Sequence, residues 1–148
     1  MTHMLTLVAC VTQKLDHPAP ARDLYRSDWF RKARAYVEAT GAPWYILSAA
    51  HGLVAPDHVL EPYDATLRAF SALQRRLWGE NTARQLASLD AVDPAASIVF
   101  LAGRLYREPL LDVAADRAVI PMAGLGIGHQ KAWLAAHTRT DVVSRPNA

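Results

Sequence analysis

The residues best suited to chemistry lie in one stretch, SAAHGLVAPDHVLEPYD at positions 48–64. His51 is a residue type that can act as a general acid or base near neutral pH. Glu61 and Asp64 flank a Pro-Tyr pair that fixes their carboxylates relative to each other. Such a pair can support oxocarbenium-like chemistry, as in glycoside cleavage, or bind ribose hydroxyls. In the simpler alternative, His51 bonds to the backbone and Glu61 caps a helix or pairs with an arginine.

Cations near two other apolar runs suit the binding of an anion. Lys14 and Arg22 follow the first run, and Gly103 and Arg104 follow the third. Arginine presents a fork of donors that matches phosphate, and a helix N-terminus favours anions. The alternative is that both segments are solvated loops with ordinary exposed cations.

A glycine-rich turn precedes the last helical pattern and contains Gly124, Gly126 and Gly128. Free backbone N–H groups at such a turn can hold a phosphate or a carboxylate. The spacing G-x-G-x-G at the last strand fits neither the dinucleotide fingerprint nor the Walker phosphate loop. An anion-binding turn and a close-packing turn both remain open.

The composition argues against several classes of protein. The single cysteine, Cys10, excludes an internal disulfide and a Cys-based zinc site, and it suits a cytoplasmic location. The chain has no HExxH, HxH or DxD motif, so neither a metal nor another cofactor is expected. A formal net charge of +2 is too small to indicate a nucleic-acid partner by itself. No apolar run approaches the roughly 18 residues of a membrane helix, so no membrane association is expected.

The elements that must position these residues alternate between strand and helix patterns. Near-continuous apolar runs, typical of strands covered on both faces, predict strands at 4–11, 43–49, 97–103 and, more weakly, 117–124. Helical spacing predicts a helix at 27–41, with Ser27 as its N-cap and Gly41 at its C-terminal end. It also predicts helices at 71–89 with a kink or break at Gly79, at 105–115 interrupted by Pro109, and at 128–138.

This alternation predicts a single three-layer α/β domain over residues 1–140, with a mostly parallel sheet of four or five strands and a loose tail at 141–148. Ligands of such sheets gather at the carboxyl ends of the strands. The rule selects the segments after Cys10, Ser48, Gly103 and Met122.

Five motifs in a fixed order carry a resemblance to a known family. They are LVAC with Lys14, ARDLYRSDWFRKARAY, WYILSAAHGLVAPDHVLEPYDATL, FLAGRLYREPL and GLGIGHQKAWL. Together they resemble the DUF6884 family of small bacterial and phage proteins of unknown function, over roughly residues 5 to 135. That family looks distantly similar to the YaaA peroxide-stress proteins and to a domain of archaeosine synthase. The polar residues within the motifs are Lys14, Arg22, Tyr25, His51, Glu61, Tyr63, Asp64, Arg104 and Gln130.

The resemblance implies an α/β fold that is Rossmann-like or similar to uracil-DNA glycosylase, and an association with nucleobases or nucleic acids. Relatives of this kind often carry several lysines after the first strand, whereas this chain keeps Lys14. The departure weakens the case for a strongly basic first loop.

The first functional hypothesis is an enzyme that handles a nucleobase, nucleoside or nucleotide by hydrolysis or transfer at the N-glycosidic bond. Glu61 or Asp64 stabilises positive charge on the sugar or activates water, and His51 acts as acid or base. Tyr25 or Tyr63 stacks on a base. The phosphate is held by Arg22, Arg104 and the turn Gly124–Gly128, and no cofactor takes part.

Two alternatives belong to other classes. A binding module without chemistry would use basic and aromatic helix surfaces at 29–34 and 75–78 to bind nucleic acid or a nucleotide. A structural protein would use the aromatic side chains of Trp29, Phe30, Trp78 and Trp133 as core or as a homodimer face.

Overall fold

The computed structural model describes residues 4–90 and 94–143. Its strands are β1 (Met4–Ala9), β2 (Ala19–Pro20), β3 (Trp44–Ser48), β4 (Gly52–Val54), β5 (Val59–Leu60), β6 (Ser97–Leu101) and β7 (Ala118–Val119). Its α-helices are α1 (Ala21–Leu24), α2 (Asp28–Thr40), α3 (Ala72–Asp90), α4 (Arg104–Arg107), α5 (Leu111–Ala114) and α6 (Ile127–Val143). Short 3₁₀ helices lie at Leu67–Ala69, Glu108–Leu110 and Ala115–Arg117.

The central sheet has five strands in the order β4-β3-β1-β6-β7. The pairs β1–β3, β1–β6 and β6–β7 are parallel, and β4 runs antiparallel to β3. The four predicted strands are confirmed in position, although the fourth pairs over two residues. Proline has no N–H for a strand ladder, which explains why β7 does not continue through Pro121.

Helices cover both faces of the sheet, so the predicted three-layer α/β arrangement is confirmed. Val8 and its partner Ile46 on β3 belong to the core that includes Phe30 of α2 and Leu134 of α6. Neighbouring residues of the strands, such as Leu47, belong to the core on the opposite face, together with buried residues of α3 and α5. Successive side chains of a strand point to opposite faces, so buried strands must be apolar throughout.

Helix α2 has the ends that the sequence predicts. The Ser27 hydroxyl accepts a 3.0 Å hydrogen bond from the Phe30 N–H, which is the usual N-cap contact. Gly41 follows the helix in a left-handed conformation with φ of 72°, and its N–H donates to the Glu38 carbonyl. Phe30, Ala33 and Val37 lie on the buried side. Local capping and periodicity therefore define this element.

Helix α3 corrects the prediction of a kink or break at Gly79. The helix runs without interruption from Ala72 to Asp90, and Gly79 is buried within it. A Cβ atom at this position would lie 2.7 Å from the Cβ of Pro109. Gly79 therefore allows the 3₁₀ helix at Glu108–Leu110 to approach the helix backbone closely.

The predicted interruption of the 105–115 helix by Pro109 is confirmed. The segment forms α4, a 3₁₀ helix containing Pro109, and α5, because proline disrupts helical hydrogen bonding. Helix α6 extends to Val143, so 141–143 continue it, and the rest of the predicted tail, 144–148, lies outside the described residues. Over the described ranges, no helix combines the length and apolarity needed to cross a membrane.

Candidate functional site

The strand order reverses between β1 and β6. From β1 the chain proceeds to β3 on one side of the sheet, and β6 is later added on the other side of β1. Such a reversal leaves a crevice outside the carboxyl ends of the two strands. A cavity of about 570 Å³, the β1–β6 cavity, occupies this position. Its polar and aromatic lining residues are Cys10, Thr12, Trp29, Thr66, Arg68, Arg104, Tyr106 and Gln130.

One wall of the cavity is an indole ring held in place by an amide. The Trp29 Nε1–H donates a 2.8 Å hydrogen bond to Gln130 Oε1. Gln130 Nε2–H in turn donates to the Leu125 carbonyl at 2.8 Å. Gln130 was predicted to bind substrate, and it does line the cavity. Both ends of its amide are nevertheless occupied, so in this structure the group orients Trp29.

Another part of the cavity lining is built around Tyr106. Its hydroxyl accepts from the Cys10 thiol and from the Leu67 N–H, each at 3.5 Å. The Trp78 ring packs edge-on against Tyr106 with centroids 5.6 Å apart, and Trp78 Nε1–H donates to the Ser48 carbonyl at 2.8 Å. Burial raises the pKa of the Tyr106 phenol, and negative charge at Cys10 raises it further. Tyr106 is therefore a neutral phenol near neutral pH.

A chain of hydroxyl groups, the hydroxyl cluster of Tyr25, Ser48 and Tyr63, lies at the ends of β1 and β3. The Ser48 hydroxyl donates to the Tyr63 hydroxyl at 2.8 Å, and the Tyr25 and Tyr63 hydroxyls share a 2.7 Å hydrogen bond. Ser48 Oγ also accepts from the Ala50 and His51 N–H groups. Burial raises the pKa of Tyr25 to about 12 and raises that of Tyr63 as well. The cluster fixes the turn that follows β3.

Lys14 lies over the aromatic rings of this cluster. Its Nζ is 4.3 Å from the centroid of the Tyr63 ring and 5.7 Å from that of Tyr25, within the range of cation–π contacts. It also donates to the Thr12 carbonyl at 3.2 Å. Burial lowers the pKa of Lys14, while negative charge at Cys10 and Asp64 opposes that change. Lys14 and Asp64, both predicted site residues, are thus electrostatically coupled.

His51 and Glu61 line a separate surface depression. It also contains His58 and Gln85, and Tyr63 forms part of its wall. The His51 ring packs edge-on against Tyr63 with centroids 5.5 Å apart. Both His51 and Glu61 are exposed. The structure therefore brings two of the three predicted catalytic residues together, but outside the lining of the β1–β6 cavity.

The predicted anion-binding residues are also distributed over the surface. Gly103 and Arg104 line the β1–β6 cavity, whereas Arg22 lines another groove with Glu38 and Trp44. Arg22 Nε lies 4.0 Å from an oxygen of its neighbour Asp23. The turn containing Gly124, Gly126 and Gly128 contributes Ile127, not its glycines, to the cavity lining.

Three functional candidates in the cavity were not selected as ligand-binding residues from the sequence. Trp29 was assigned to a nucleic-acid-binding surface or an interface, and Thr66 and Arg68 were not singled out. Thr66 caps the 3₁₀ helix at Leu67–Ala69, and its hydroxyl accepts from the Ala69 N–H at 3.3 Å. In the sequence, a threonine at position 66 followed by an alanine three positions later is a weak signal for this cap. No local signal marks Arg68, because the packing of its 3₁₀ helix against α4 brings it to the cavity.

The described residues contain no group of three or more His, Cys, Asp or Glu side chains that could hold a metal ion. Comparison with curated proteins and with solved structures finds no significant match to this chain. A family model does match, over residues 5–136. The chain accordingly belongs to DUF6884, a family of unknown function.

Proposed function

We propose that the protein handles a nucleobase, nucleoside or nucleotide, which it binds in the β1–β6 cavity and cleaves or transfers at the N-glycosidic bond. The observation that carries the proposal is an indole wall in a cavity at the reversal of strand order. Crevices at this position of parallel sheets are common ligand sites, and aromatic faces stack on bases of any sequence.

The size and surface of the cavity support a ligand of this class. Its volume of about 570 Å³ falls within the range typical of small-molecule sites. Trp29, Leu105 and Ile127 give it apolar surface, and Leu105 and Ile127 are exposed. Thr12 and Thr66 add hydroxyl groups that suit the polar edge of a base or a sugar.

Asp64 is the best candidate for the chemical step. It directly precedes Ala65 and Thr66, which line the cavity, and it is exposed. A carboxylate beside the scissile bond stabilises the positive charge that develops on the sugar ring. Among the three predicted catalytic residues, Asp64 lies nearest to the cavity lining along the chain. We assign it the role of stabilising that charge or activating water.

A binding test examines the ligand class. Calorimetry with a panel of nucleobases, nucleosides and nucleotides is expected to show binding by the wild-type protein. Trp29→Ala is expected to weaken that binding by roughly 10- to 100-fold, the usual effect of losing one base-stacking contact. Trp44→Ala is the matched control, because Trp44 is similarly half-buried and lines another groove. The proposal fails if no compound binds, or if the two variants bind alike.

A turnover test examines the reaction. Chromatography of the incubated ligand is expected to show release of free base by the wild-type protein. Asp64→Asn should lose most of this release while retaining ligand binding, since the amide keeps the shape but not the charge. Equal release by wild type and Asp64→Asn would remove Asp64 from the mechanism.

A binding module without chemistry is the second candidate, and the cavity lining favours it. Among the lining residues that the structure describes, none is Asp, Glu or His. Burial raises the pKa of the Tyr106 phenol, so the group stays protonated near neutral pH and does not serve as a general base. Ligand binding without base release, unchanged by Asp64→Asn, would support this candidate over the enzyme.

A further inference from the structure

We infer that Arg68 binds a phosphate group of the ligand, so that the β1–β6 cavity takes a phosphorylated nucleoside in preference to a free base or nucleoside. The inference rests on the proposed function and adds the charged part of the substrate to it. Arg68 would then determine the specificity of the cavity for phosphorylated over unphosphorylated ligands.

The charge of the cavity favours an anion. Arg68 and Arg104 both line it, and the lining residues within the described chain include no carboxylate. Arg104 Nε lies 3.2 Å from Glu108 Oε1, so its charge is partly neutralised. The Arg68 guanidinium has no carboxylate partner among the described residues. Arg68 is therefore the cation at this rim that is available to a ligand.

The backbone that carries Arg68 is held by three kinds of hydrogen bond. Arg75 of α3 donates Nε–H to the Leu67 carbonyl at 2.7 Å and Nη2–H to the Arg68 carbonyl at 2.8 Å. The Thr66 hydroxyl accepts from the Ala69 N–H, and the Leu67 N–H donates to the Tyr106 hydroxyl. A binding group on a rigid element loses less conformational entropy when the ligand binds. The two bonds from Arg75 thus fix where the Arg68 side chain leaves the backbone.

The chemistry of the lining identifies phosphate as the anion. A guanidinium group donates two parallel hydrogen bonds to phosphate oxygens, and it is more weakly hydrated than an ammonium group. Trp29 offers a stacking surface in the same cavity, so base and anion can bind together. A nucleoside phosphate carries both features in one molecule. A free base or nucleoside can stack on the indole of Trp29, but it has no negative charge to pair with Arg68.

The experiment compares phosphorylated and unphosphorylated ligands. Calorimetry measures the affinity of the wild-type protein for the four common ribonucleosides, their 5′-monophosphates and a short thymidine oligonucleotide. Arg68→Gln should weaken the binding of the preferred phosphorylated ligand by roughly 10- to 100-fold, as expected for loss of a charge-assisted hydrogen bond. Arg68→Lys should weaken binding less than Arg68→Gln, because lysine keeps the positive charge but lacks the two parallel N–H donors of a guanidinium group. Arg84→Gln is the matched control, since Arg84 is exposed on α3 and does not line the cavity.

The outcomes separate this inference from the proposed function. Nucleosides that bind as tightly as their monophosphates, with Arg68→Gln equal to wild type, overturn the inference and leave the proposed function intact. Absence of binding by every compound overturns the proposed function. Binding of the oligonucleotide but of no mononucleotide, weakened in Arg68→Gln and not in Arg84→Gln, supports the inference and assigns the phosphate to a polynucleotide strand.

Discussion

The indole N–H of Trp29 donates a 2.8 Å hydrogen bond to the side-chain oxygen of Gln130, which lies 101 positions later in the chain. The bond joins the first turns of α2 and α6 beside the β1–β6 cavity. A second contact between these helices lies next to it, because Lys131 Nζ is 3.5 Å from Asp28 Oδ2. The orientation of the stacking surface in the proposed site therefore depends on the packing of two helices.

Gln130→Leu is predicted to lower the free energy of unfolding by about 1–3 kcal/mol, because the half-buried indole N–H and the Leu125 carbonyl both lose their partner. Urea unfolding measures the loss, and a shift of tryptophan emission reports the change around the ring. Gln13→Leu is the control, because Gln13 is exposed and makes no side-chain hydrogen bond within the described chain. Equal stability of the two variants would contradict the structural role of Gln130.

The hydroxyl cluster is predicted to behave as a coupled unit. Ser48→Ala and Tyr63→Phe each remove one side of the 2.8 Å bond between them. The double variant should therefore be more stable than the sum of the two losses predicts, with a coupling energy of about 1 kcal/mol. A double-mutant cycle from urea unfolding gives this value. Strictly additive losses would show that the bond contributes nothing measurable.

Stability is predicted to fall at alkaline pH through Tyr25. Its pKa is raised from 10.0 to about 12 in the folded protein, because burial disfavours the phenolate. The folded state therefore holds the proton longer than the unfolded state. The resulting stabilisation is fully present below pH ~10 and is lost as pH rises towards ~12. In Tyr25→Phe the slope of unfolding free energy against pH should become shallower by up to about 1.4 kcal/mol per pH unit. An unchanged slope in urea unfolding would contradict this assignment.

Gly79→Ala is predicted to destabilise the protein even though alanine favours helices. The new Cβ would lie 2.7 Å from the Cβ of Pro109, and overpacking of this kind costs about 1–3 kcal/mol. Gly128→Ala in α6 is the matched control, because its Cβ would enter open space. Thermal unfolding should separate the two variants, with Gly128→Ala at or above wild type. A Gly79→Ala protein as stable as Gly128→Ala would show that the 3₁₀ helix at Glu108–Leu110 can move away.

The fold was largely predictable because its signals are local. Continuous apolar runs identified β1, β3 and β6, and Ser27 with Gly41 marked the ends of α2. Strand β4 was not predicted, because it has three residues and forms by pairing with the edge of β3. A local sequence pattern does not indicate such pairing. Gly79 was misinterpreted for a related reason. Its local signal indicates a weak helix, while its role depends on Pro109, thirty positions later.

The candidate site was predictable in its location more than in its residues. The strand-end rule selected Gly103 and Arg104, which line the β1–β6 cavity, and also His51 and Glu61, which line another depression. Sequence proximity to a strand end does not say on which side of the sheet edge a side chain emerges. Arg68 was not selected, because tertiary packing brings its 3₁₀ helix to the cavity.

The β1–β6 cavity is assembled from segments that are far apart in the chain, and this has a kinetic consequence. Cys10 and Tyr106, which contact each other in its lining, are 96 positions apart. Contacts of such high sequence separation form late, since long loops must close first. Partly folded chains and proteolytic fragments would therefore lack the cavity. A ligand that occupies it would slow global unfolding and would protect the whole chain, rather than one loop, from proteases.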